Sequence, residues 1–204
     1  KVIVIISNPL KSSRSLPRSK KVITAEDSKL IWDQYIAGSG VNAEAHVSKA
    51  ASPVQVVYDY VMSEDQPNND LVAPLNSIVY MGCGDKEEDA SRFDDIVKKA
   101  RKDLKIKIVT CPLGEDNKHS PQYRQMLQAS PDIMKSIPSV VSGKQFMDFH
   151  ASDMRHVAEL AEESVLGLQL FQDFVPPGDA LAVLGILGLN AADTNGPRSE
   201  EDQV

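Results

Sequence analysis

The segment Phe149–Arg155 combines residue types that could bind a phosphate. Ser152 precedes a helical pattern, and Arg155 follows three residues later. A serine at the start of a helix caps its first turn, whose free backbone N–H groups and dipole favour an anion. An arginine one turn further on can form hydrogen bonds with the same anion. The segment predicts a phosphate site, and an ordinary helix cap beside a surface arginine is the alternative interpretation.

Two other segments could contribute to that site. A Ser-rich loop after the apolar run Val2–Ile6 carries five basic residues, namely Lys11, Arg14, Arg18, Lys20 and Lys21. The second segment follows an apolar run that ends at Met81, and it consists of Gly82, Cys83, Gly84 and Asp85. Its glycines would let a base or ribose approach the backbone, and its aspartate could accept a hydrogen bond from a hydroxyl. A solvated basic surface and a tight strand-to-helix turn are the alternative interpretations.

Apolar and polar periodicity predicts the elements that must position these residues. Strands are predicted at 2–6, 42–48, 77–81 and 106–111. Helices are predicted from Thr24 to Gly38, from Pro53, and over 91–104, 153–170 and 180–189. Alternating strands and helices favour an α/β fold with a mainly parallel sheet, in which ligands collect at the carboxyl ends of the strands. We therefore expect the three segments to meet at that edge.

The predicted domain organisation is an α/β domain over 1–175, followed by a short helix and a disordered acidic tail over 176–204. The first long helix is expected to contact the core through Leu30, Ile31, Trp32 and Tyr35. The segment 119–142 contains three prolines and is expected to be irregular.

Composition limits the function classes. The 204 residues are 42% hydrophobic, which is enough for a core, and carry a formal charge of −7. That charge argues against a nucleic-acid partner, so any phosphate binding must be local. No apolar run is long enough to span a membrane, and Cys83 and Cys111 suggest a reducing compartment rather than a disulfide. The expectation is a cytoplasmic protein without a protein-bound metal, with a homo-oligomer left open.

Two motifs resemble those of the cytidylyltransferase-like, or HIGH-type, nucleotidyltransferases, and in particular members of phage type. Phe149–Arg155 is similar to that family's Ile-Ser-Ser-Thr-x-x-Arg motif, and Val79–Asp85 to its strand and Gly-Ser-Asp turn. The resemblance covers Lys1–Ala161. It implies a Rossmann-like three-layer α/β/α fold with a mainly parallel sheet, whose first strand-helix unit would be missing from this sequence.

The resemblance also implies roles for residues. Ser152 would hold the β- and γ-phosphates of a nucleoside triphosphate, Arg155 would neutralise the leaving pyrophosphate, and Lys11 or Arg14 would face the α-phosphate or a phosphorylated acceptor. Mg²⁺ would accompany the triphosphate. The remaining nucleotide-binding positions would be Gly82, Gly84, Asp85 and His150. His150 replaces the motif's small hydroxyl residue, and a packed or solvent-facing imidazole is the alternative to a phosphate contact.

One departure from the family pattern affects the functional prediction. The family's His-x-x-His or His-x-Gly-His pair is absent, because the four histidines are dispersed at His46, His119, His150 and His156. The chain is interpreted as amino-terminally truncated. The predicted function is transfer of NMP from ATP or CTP to a phosphorylated small molecule, with binding but no turnover where the histidines are lacking. The alternative is a non-catalytic Rossmann-like nucleotide-binding or structural accessory module.

Overall fold

The computed structural model describes residues 1–8, 14–50, 52–64, 71–83, 91–110, 128, 151–176 and 178–193. The side chains of Cys83, Thr110, Ser152 and Asp153 lie outside this description. The predictions for Cys111, His119 and the irregular segment 119–142 concern residues outside it as well.

The described residues form an α/β fold, as predicted. The strands are β1 (Val2–Ile6), β2 (Arg14–Ser15), β3 (Val22–Ile23), β4 (Ala43–Val47), β5 (Ile78–Cys83) and β6 (Lys105–Thr110). The helices are α1 (Ala25–Ser39), α2 (Pro53–Met62), α3 (Ile96–Lys99), α4 (Ala151–Glu163), α5 (Val165–Gln172) and α6 (Ala180–Leu187). None of these helices combines the length and the hydropathy needed to cross a membrane.

Two pairs of strands run parallel. β1 pairs with β4 from Val2 opposite Ala43 onward, and β5 pairs with β6 from Ile78 opposite Lys105 onward. Parallel strands need a crossover connection, and α1 and α3 lie in the two connections here. The predicted parallel pairing is therefore confirmed for these strands. The third pair, β2 with β3, is antiparallel.

The chain divides into two compact units. The first unit comprises Lys1–Ser13, Thr24–Trp32 and Asn42–Glu115, and the second comprises Arg14–Ile23, Asp33–Val41 and Asp116–Val204. Both parallel pairs belong to the first unit. The antiparallel pair and the helices α4, α5 and α6 belong to the second.

The core of the first unit lies between α2, α3 and one face of the β5–β6 pair. Its buried members are Val61, Ala73, Met81, Ile96 and Leu104. α2 begins where the sequence predicts, because Pro53 occupies the first helical position and the Ser52 side chain caps the first turn of the helix.

α3 is much shorter than the helix predicted over 91–104. Residues 92–95 form turns, and the helix ends before Ala100, which adopts an extended ψ of 152°. The reason lies in the next residue: the Arg101 backbone N–H donates to the carbonyl of Val61 at 2.9 Å instead of continuing the helix. A tertiary hydrogen bond has replaced the helical one.

The helix predicted over 153–170 is two helices, α4 and α5. Ser164 separates them with extended backbone (φ −154°, ψ 151°), and its side chain accepts from the N–H of Gly167 at 3.0 Å. A Cβ on Gly167 would lie 2.0 Å from the Leu160 carbonyl oxygen, so the two helices approach each other at a point where only glycine fits. The apolar periodicity continues through the break and conceals it.

α1 has the predicted cap but not the predicted buried face. Thr24 and Asp27 bond reciprocally, since the hydroxyl accepts from the Asp27 N–H at 3.0 Å and the carboxylate accepts from the Thr24 N–H at 2.8 Å. However, Leu30 is 53% exposed and Trp32 is 42% exposed. Both side chains are exposed, so neither belongs to a buried core.

α6 matches the predicted carboxyl-terminal helix and ends at Gly188, whose left-handed φ of 69° suits glycine. Residues 190–193, which the sequence assigns to a disordered tail, are bonded to the preceding part of the chain. The Asn190 N–H donates to the Glu162 carboxylate at 3.1 Å, and the Ala192 N–H donates to the Ala161 carbonyl at 2.8 Å. These bonds fasten the chain to α4. The last part of the predicted tail, 194–204, lies outside the described residues.

Candidate functional site

The predicted site residues are divided between the two compact units. Gly82 is exposed in β5 of the first unit, whereas Arg14 lies in β2 and Arg155 in α4, both in the second unit. The residues outside the description are Lys11, Gly84, Asp85 and His150.

The basic segment predicted as a loop contains a β-hairpin. Arg14 lies opposite Ile23 in the β2–β3 pair, and the Leu16 N–H donates to the Lys21 carbonyl at 2.9 Å. The Leu16 side chain is fully buried in the second unit, at 0% exposure. This apolar anchor explains why a segment rich in cations folds back on itself instead of remaining an open loop.

Glu159 bonds this hairpin to α4. The backbone N–H of Arg18 donates to both carboxylate oxygens of Glu159, at 3.1 and 3.0 Å, and the Ser19 N–H donates at 2.9 Å. Glu159 is only 4% exposed. A buried carboxylate is tolerated when such N–H groups compensate its lost hydration. The second unit thus brings together two segments that the sequence predicts to share a site: the basic segment and the helix containing Ser152.

Two basic side chains of the hairpin also contact protein oxygens. The Arg18 guanidinium forms an ion pair with Glu163, and both side chains are 40% exposed. Lys21 Nζ lies 3.3 Å from the Ile186 carbonyl oxygen and donates to it. The hairpin is therefore attached to both α4 and α6.

The predicted cap at Ser152 is corrected by the extent of α4. Ser152 lies inside the helix, after Ala151, so it is not the residue that precedes the first helical position. Its backbone belongs to the first described turn of α4. Residues three and four apart share one side of a helix, so Ser152, Arg155 and Glu159 follow one stripe along α4. Arg155 is partly buried on that stripe.

Sequence reasoning did not identify Glu159 as important. The signal was present, because Glu159 interrupts the apolar run 157–161 and its neighbours Val157, Ala158 and Leu160 are buried. An acidic residue within a buried stretch needs a partner. The partner itself could not be read from the sequence, since Arg18 is 141 positions away.

The first unit has its own strand-to-helix junction after β4. The N–H of the buried Ser48 donates to the Ile6 carbonyl at 2.8 Å and so extends the β1–β4 pairing. Lys49 is exposed, and the Ser52 side chain caps α2 by accepting from the Val54 N–H at 3.3 Å. Sequence reasoning recognised the proline at the start of α2 but not this serine, although Ser-Pro before an apolar helix is a known start signal.

Charged residues on β4 form a small surface network. Glu44 lies 2.6 Å from Lys1 Nζ and 3.1 Å from the Nε2 atom of His46. The hydrogen bond from Lys1 is the main cause that lowers the pKa of Glu44, and His46 adds to it. The prediction of His46 as a strand residue is confirmed.

The second unit also buries Asp179 at the start of α6. The carboxylate accepts from Gln34 Nε2 at 3.1 Å, and a Cβ on Gly38 would lie 3.0 Å from its other oxygen. Burial, followed by the charge of Asp179, raises the pKa of Tyr35 to about 12. The close contact at Gly38 leaves little space for a ligand, so this group acts as packing between α1 and α6.

The described residues hold no group of three or more histidine, cysteine, aspartate or glutamate side chains that could bind a metal. Comparison of the chain with protein-family models, curated proteins and solved structures finds no match.

Proposed function

We propose that this protein binds a nucleoside triphosphate, ATP or CTP, and transfers its NMP group to a phosphorylated small molecule. The motif at Phe149–Arg155 suggests this activity by resemblance. The observation that supports it most is the Glu159 carboxylate, which bonds the basic hairpin to α4 at Arg18 and Ser19 over 2.9–3.1 Å. The predicted phosphate-binding helix and the predicted basic segment are therefore direct neighbours in one unit.

In this proposal the α4 stripe binds the triphosphate. The backbone of Ser152 would donate to the β- and γ-phosphates, and Arg155 would offset the charge on the leaving pyrophosphate. As the resemblance implies, either Lys11 or Arg14 would face the α-phosphate or the phosphorylated acceptor. An acceptor oxygen attacks the α-phosphorus, the bond to the bridging oxygen of the β-phosphate breaks, and pyrophosphate leaves. Catalysis then consists of positioning and charge neutralisation, without a covalent enzyme intermediate.

Mg²⁺ is compatible with this site as a companion of the nucleotide. The described residues offer no acidic cluster that would hold the ion by itself. Mg²⁺ usually retains several waters and is held largely by substrate phosphates. When bound, it would reduce the repulsion between the triphosphate and the acceptor phosphate.

The same hypothesis includes a more specific fold than the α/β class. We infer a Rossmann-like three-layer arrangement, supported by the two parallel pairs and by the helices in their crossovers. The resemblance assigns Gly82, Gly84 and Asp85 to the nucleotide, and this assignment remains a prediction. The cytoplasmic location and the acceptor are predictions as well. Suitable acceptors are pantetheine phosphate, nicotinamide mononucleotide, sugar or polyol phosphates and flavin mononucleotide.

A second candidate function is nucleotide binding without catalysis. The observation that favours it is the spacing of the four histidines, at positions 46, 119, 150 and 156, which form no His-x-x-His or His-x-Gly-His pair in this sequence. Without those donors, stabilisation of the transition state at the α-phosphate would be lost.

Titration calorimetry with ATP and with CTP, each in Mg²⁺ at physiological salt, tests binding. We expect Arg155→Ala to weaken it at least tenfold, whereas Lys98→Ala, an exposed lysine in the first unit, is the matched control. Pyrophosphate release with each acceptor then separates the two functions: binding with release supports the transferase, and binding alone supports the second candidate. No binding of either nucleotide, or equal binding by the Arg155 variant, contradicts both.

A further inference from the structure

The β5–β6 pair in the first unit has one buried face and one exposed face. Met81 is buried in the core, and Val79 and Ile106 are partly buried and pack against it. On the other face Ile78 is 48% exposed and Tyr80 is 62% exposed. Parallel strands are normally covered on both faces. An uncovered face with a large aromatic side chain therefore needs an explanation.

The exposed face is also basic. Ile78 lies opposite Lys105, and Tyr80 lies opposite Lys107, so the two exposed lysines follow one strand beside the apolar residues of the other. Alternate residues on a strand are about 6.6 Å apart. Within the described part of the chain, neither lysine forms an ion pair with a carboxylate, and β5 and β6 contain no acidic residue.

The local charge differs sharply from that of the whole chain. Residues 98–107 contain six basic residues and one acidic residue, which gives +5, while the whole chain carries −7 and the remainder therefore −12. Of the basic residues in this segment, Arg101 is buried, and the five lysines are exposed. Of these lysines, Lys105 and Lys107 lie on the exposed β5–β6 face, whereas Lys98 and Lys99 belong to α3, which packs against the opposite face. The −7 of the chain argues against a large nucleic-acid interface but not against a local one.

Tyr80 and Gly82 give this face a flat aromatic surface. They lie two residues apart on β5, and Gly82 adds no side chain beside the ring. Lys107 Nζ lies over the Tyr80 ring, 5.4 Å from its centroid, so a base that stacks on this face of the ring would displace the ammonium group. A planar base can stack on such a ring while the neighbouring lysines neutralise its phosphates.

We propose that the exposed β5–β6 face binds single-stranded nucleic acid, with one base stacked on Tyr80 and the adjacent phosphates on Lys105 and Lys107. The two lysines favour this occupant over a plain apolar helix, because such a helix would bury both charges without partners. This proposal is independent of nucleotidyl transfer in the second unit.

Fluorescence anisotropy with labelled twelve-residue oligo(dT) and oligo(rU) tests the proposal on the full chain. We expect Tyr80→Ala to weaken binding about tenfold and Tyr80→Trp to retain it, since every aromatic ring can stack. Lys107→Ala should reduce the slope of log affinity against log salt by about 0.7. Lys98→Ala, whose lysine pairs with Asp95 at 3.3 Å, and Leu181→Ala, 62% exposed in the second unit, are the matched controls.

Several outcomes would overturn the proposal. These are no binding at low salt, equal binding by wild type and Tyr80→Ala, and a salt slope that Lys107→Ala leaves unchanged. A further one is displacement of the oligonucleotide by a mononucleotide at equal concentration, since that would indicate a nucleotide site rather than a strand-binding face. Arg155→Ala should leave oligonucleotide binding intact, so failure of the transferase proposal can be distinguished. Circular dichroism of each variant checks that it is folded.

Discussion

The two units each use one charged side chain to hold separate segments, but the charges are opposite. In the first unit, the Arg101 side chain is 7% exposed and donates to the carbonyls of Ser63 at 3.0 Å and Ala73 at 2.7 Å. Its guanidinium is matched by the Asp103 carboxylate at 3.1 Å. Arg101 thus connects the end of α2, the segment before β5 and the turn before β6, and its charge has a full counterion.

In the second unit, Glu159 connects the hairpin to α4 as an acceptor. Its described partners are the backbone N–H groups of Arg18 and Ser19, and the Arg18 guanidinium pairs with Glu163 instead. The first unit therefore compensates its buried charge with an opposite charge, and the second with peptide dipoles. We infer that removing the negative charge of Glu159 destabilises the second unit more than removing the exposed Arg18–Glu163 ion pair beside it.

Gly167→Ala is expected to have the largest effect, and to be confined to the second unit. A Cβ there would lie 2.0 Å from the Leu160 carbonyl, so α4 and α5 must separate, at a cost of at least about 3 kcal/mol. Gly185→Ala is the matched control, because a Cβ there meets nothing within 4 Å and should stabilise α6 by about 0.5–1 kcal/mol. Urea unfolding measures both, and equal effects would contradict the close approach of the helices.

Arg101→Met tests the charged connection in the first unit. The carbonyls of Ser63 and Ala73 lose their donor, and we expect a loss of about 2–4 kcal/mol in the free energy of unfolding. Arg101→Lys should recover only part of this loss, because lysine lacks the planar fork that bonds several acceptors at once. Full recovery by lysine would show that charge alone matters here.

Glu159→Gln tests the corresponding connection in the second unit. An amide NH₂ would face the N–H groups of Arg18 and Ser19, and we expect a cost of about 1–3 kcal/mol in unfolding free energy. Glu163→Gln removes a partly exposed ion pair and should cost less than about 1 kcal/mol. If urea unfolding showed Glu163→Gln to be more destabilising than Glu159→Gln, the proposed role of Glu159 as the main connection in the second unit would be wrong.

The pH dependence of stability should differ between the units and is the smallest expected effect. The hydrogen bond from Arg101 lowers the pKa of Asp103, so its contribution is present above the ordinary pKa of 3.8 and is lost as the pH falls through the lower folded value. In thermal melting at different pH values, Asp103→Asn should show a smaller loss of stability at acidic pH, because the variant lacks this titrating carboxylate.

On the alkaline side, the pKa of Tyr35 is raised from 10.0 to about 12. Its stabilising effect is therefore present below pH 10 and is lost as the pH rises from 10 to about 12. Burial also raises the pKa of Tyr60, so absorbance of the phenolate should show both tyrosines titrating late, and Tyr35→Phe should reduce the amplitude of that late phase by one tyrosine. A late phase of unchanged amplitude in this variant would contradict the burial of Tyr35.

Features determined by nearby residues were predicted well. The Val-Ile run of β1 and the Pro53 start of α2 were correctly predicted, and so was the Thr24 cap of α1, because each rests on interactions within four residues. The candidate site was predicted less well. The basic segment and α4 were recognised separately, but the hairpin within that segment was missed, because the burial of Leu16 at 0% exposure depends on the rest of the unit.

The sequence by itself determined the α/β class, the parallel direction of both strand pairs and the starts of α1, α2 and α6, since periodicity and capping act over a few residues. Only the tertiary structure decided where helices end or break. Arg101 ends α3 by bonding to Val61, and Gly167 permits the contact that divides α4 from α5. Only the tertiary structure revealed Glu159 as the connection to the hairpin, because its partner lies 141 residues away and local periodicity contains no information about so distant a hydrogen bond.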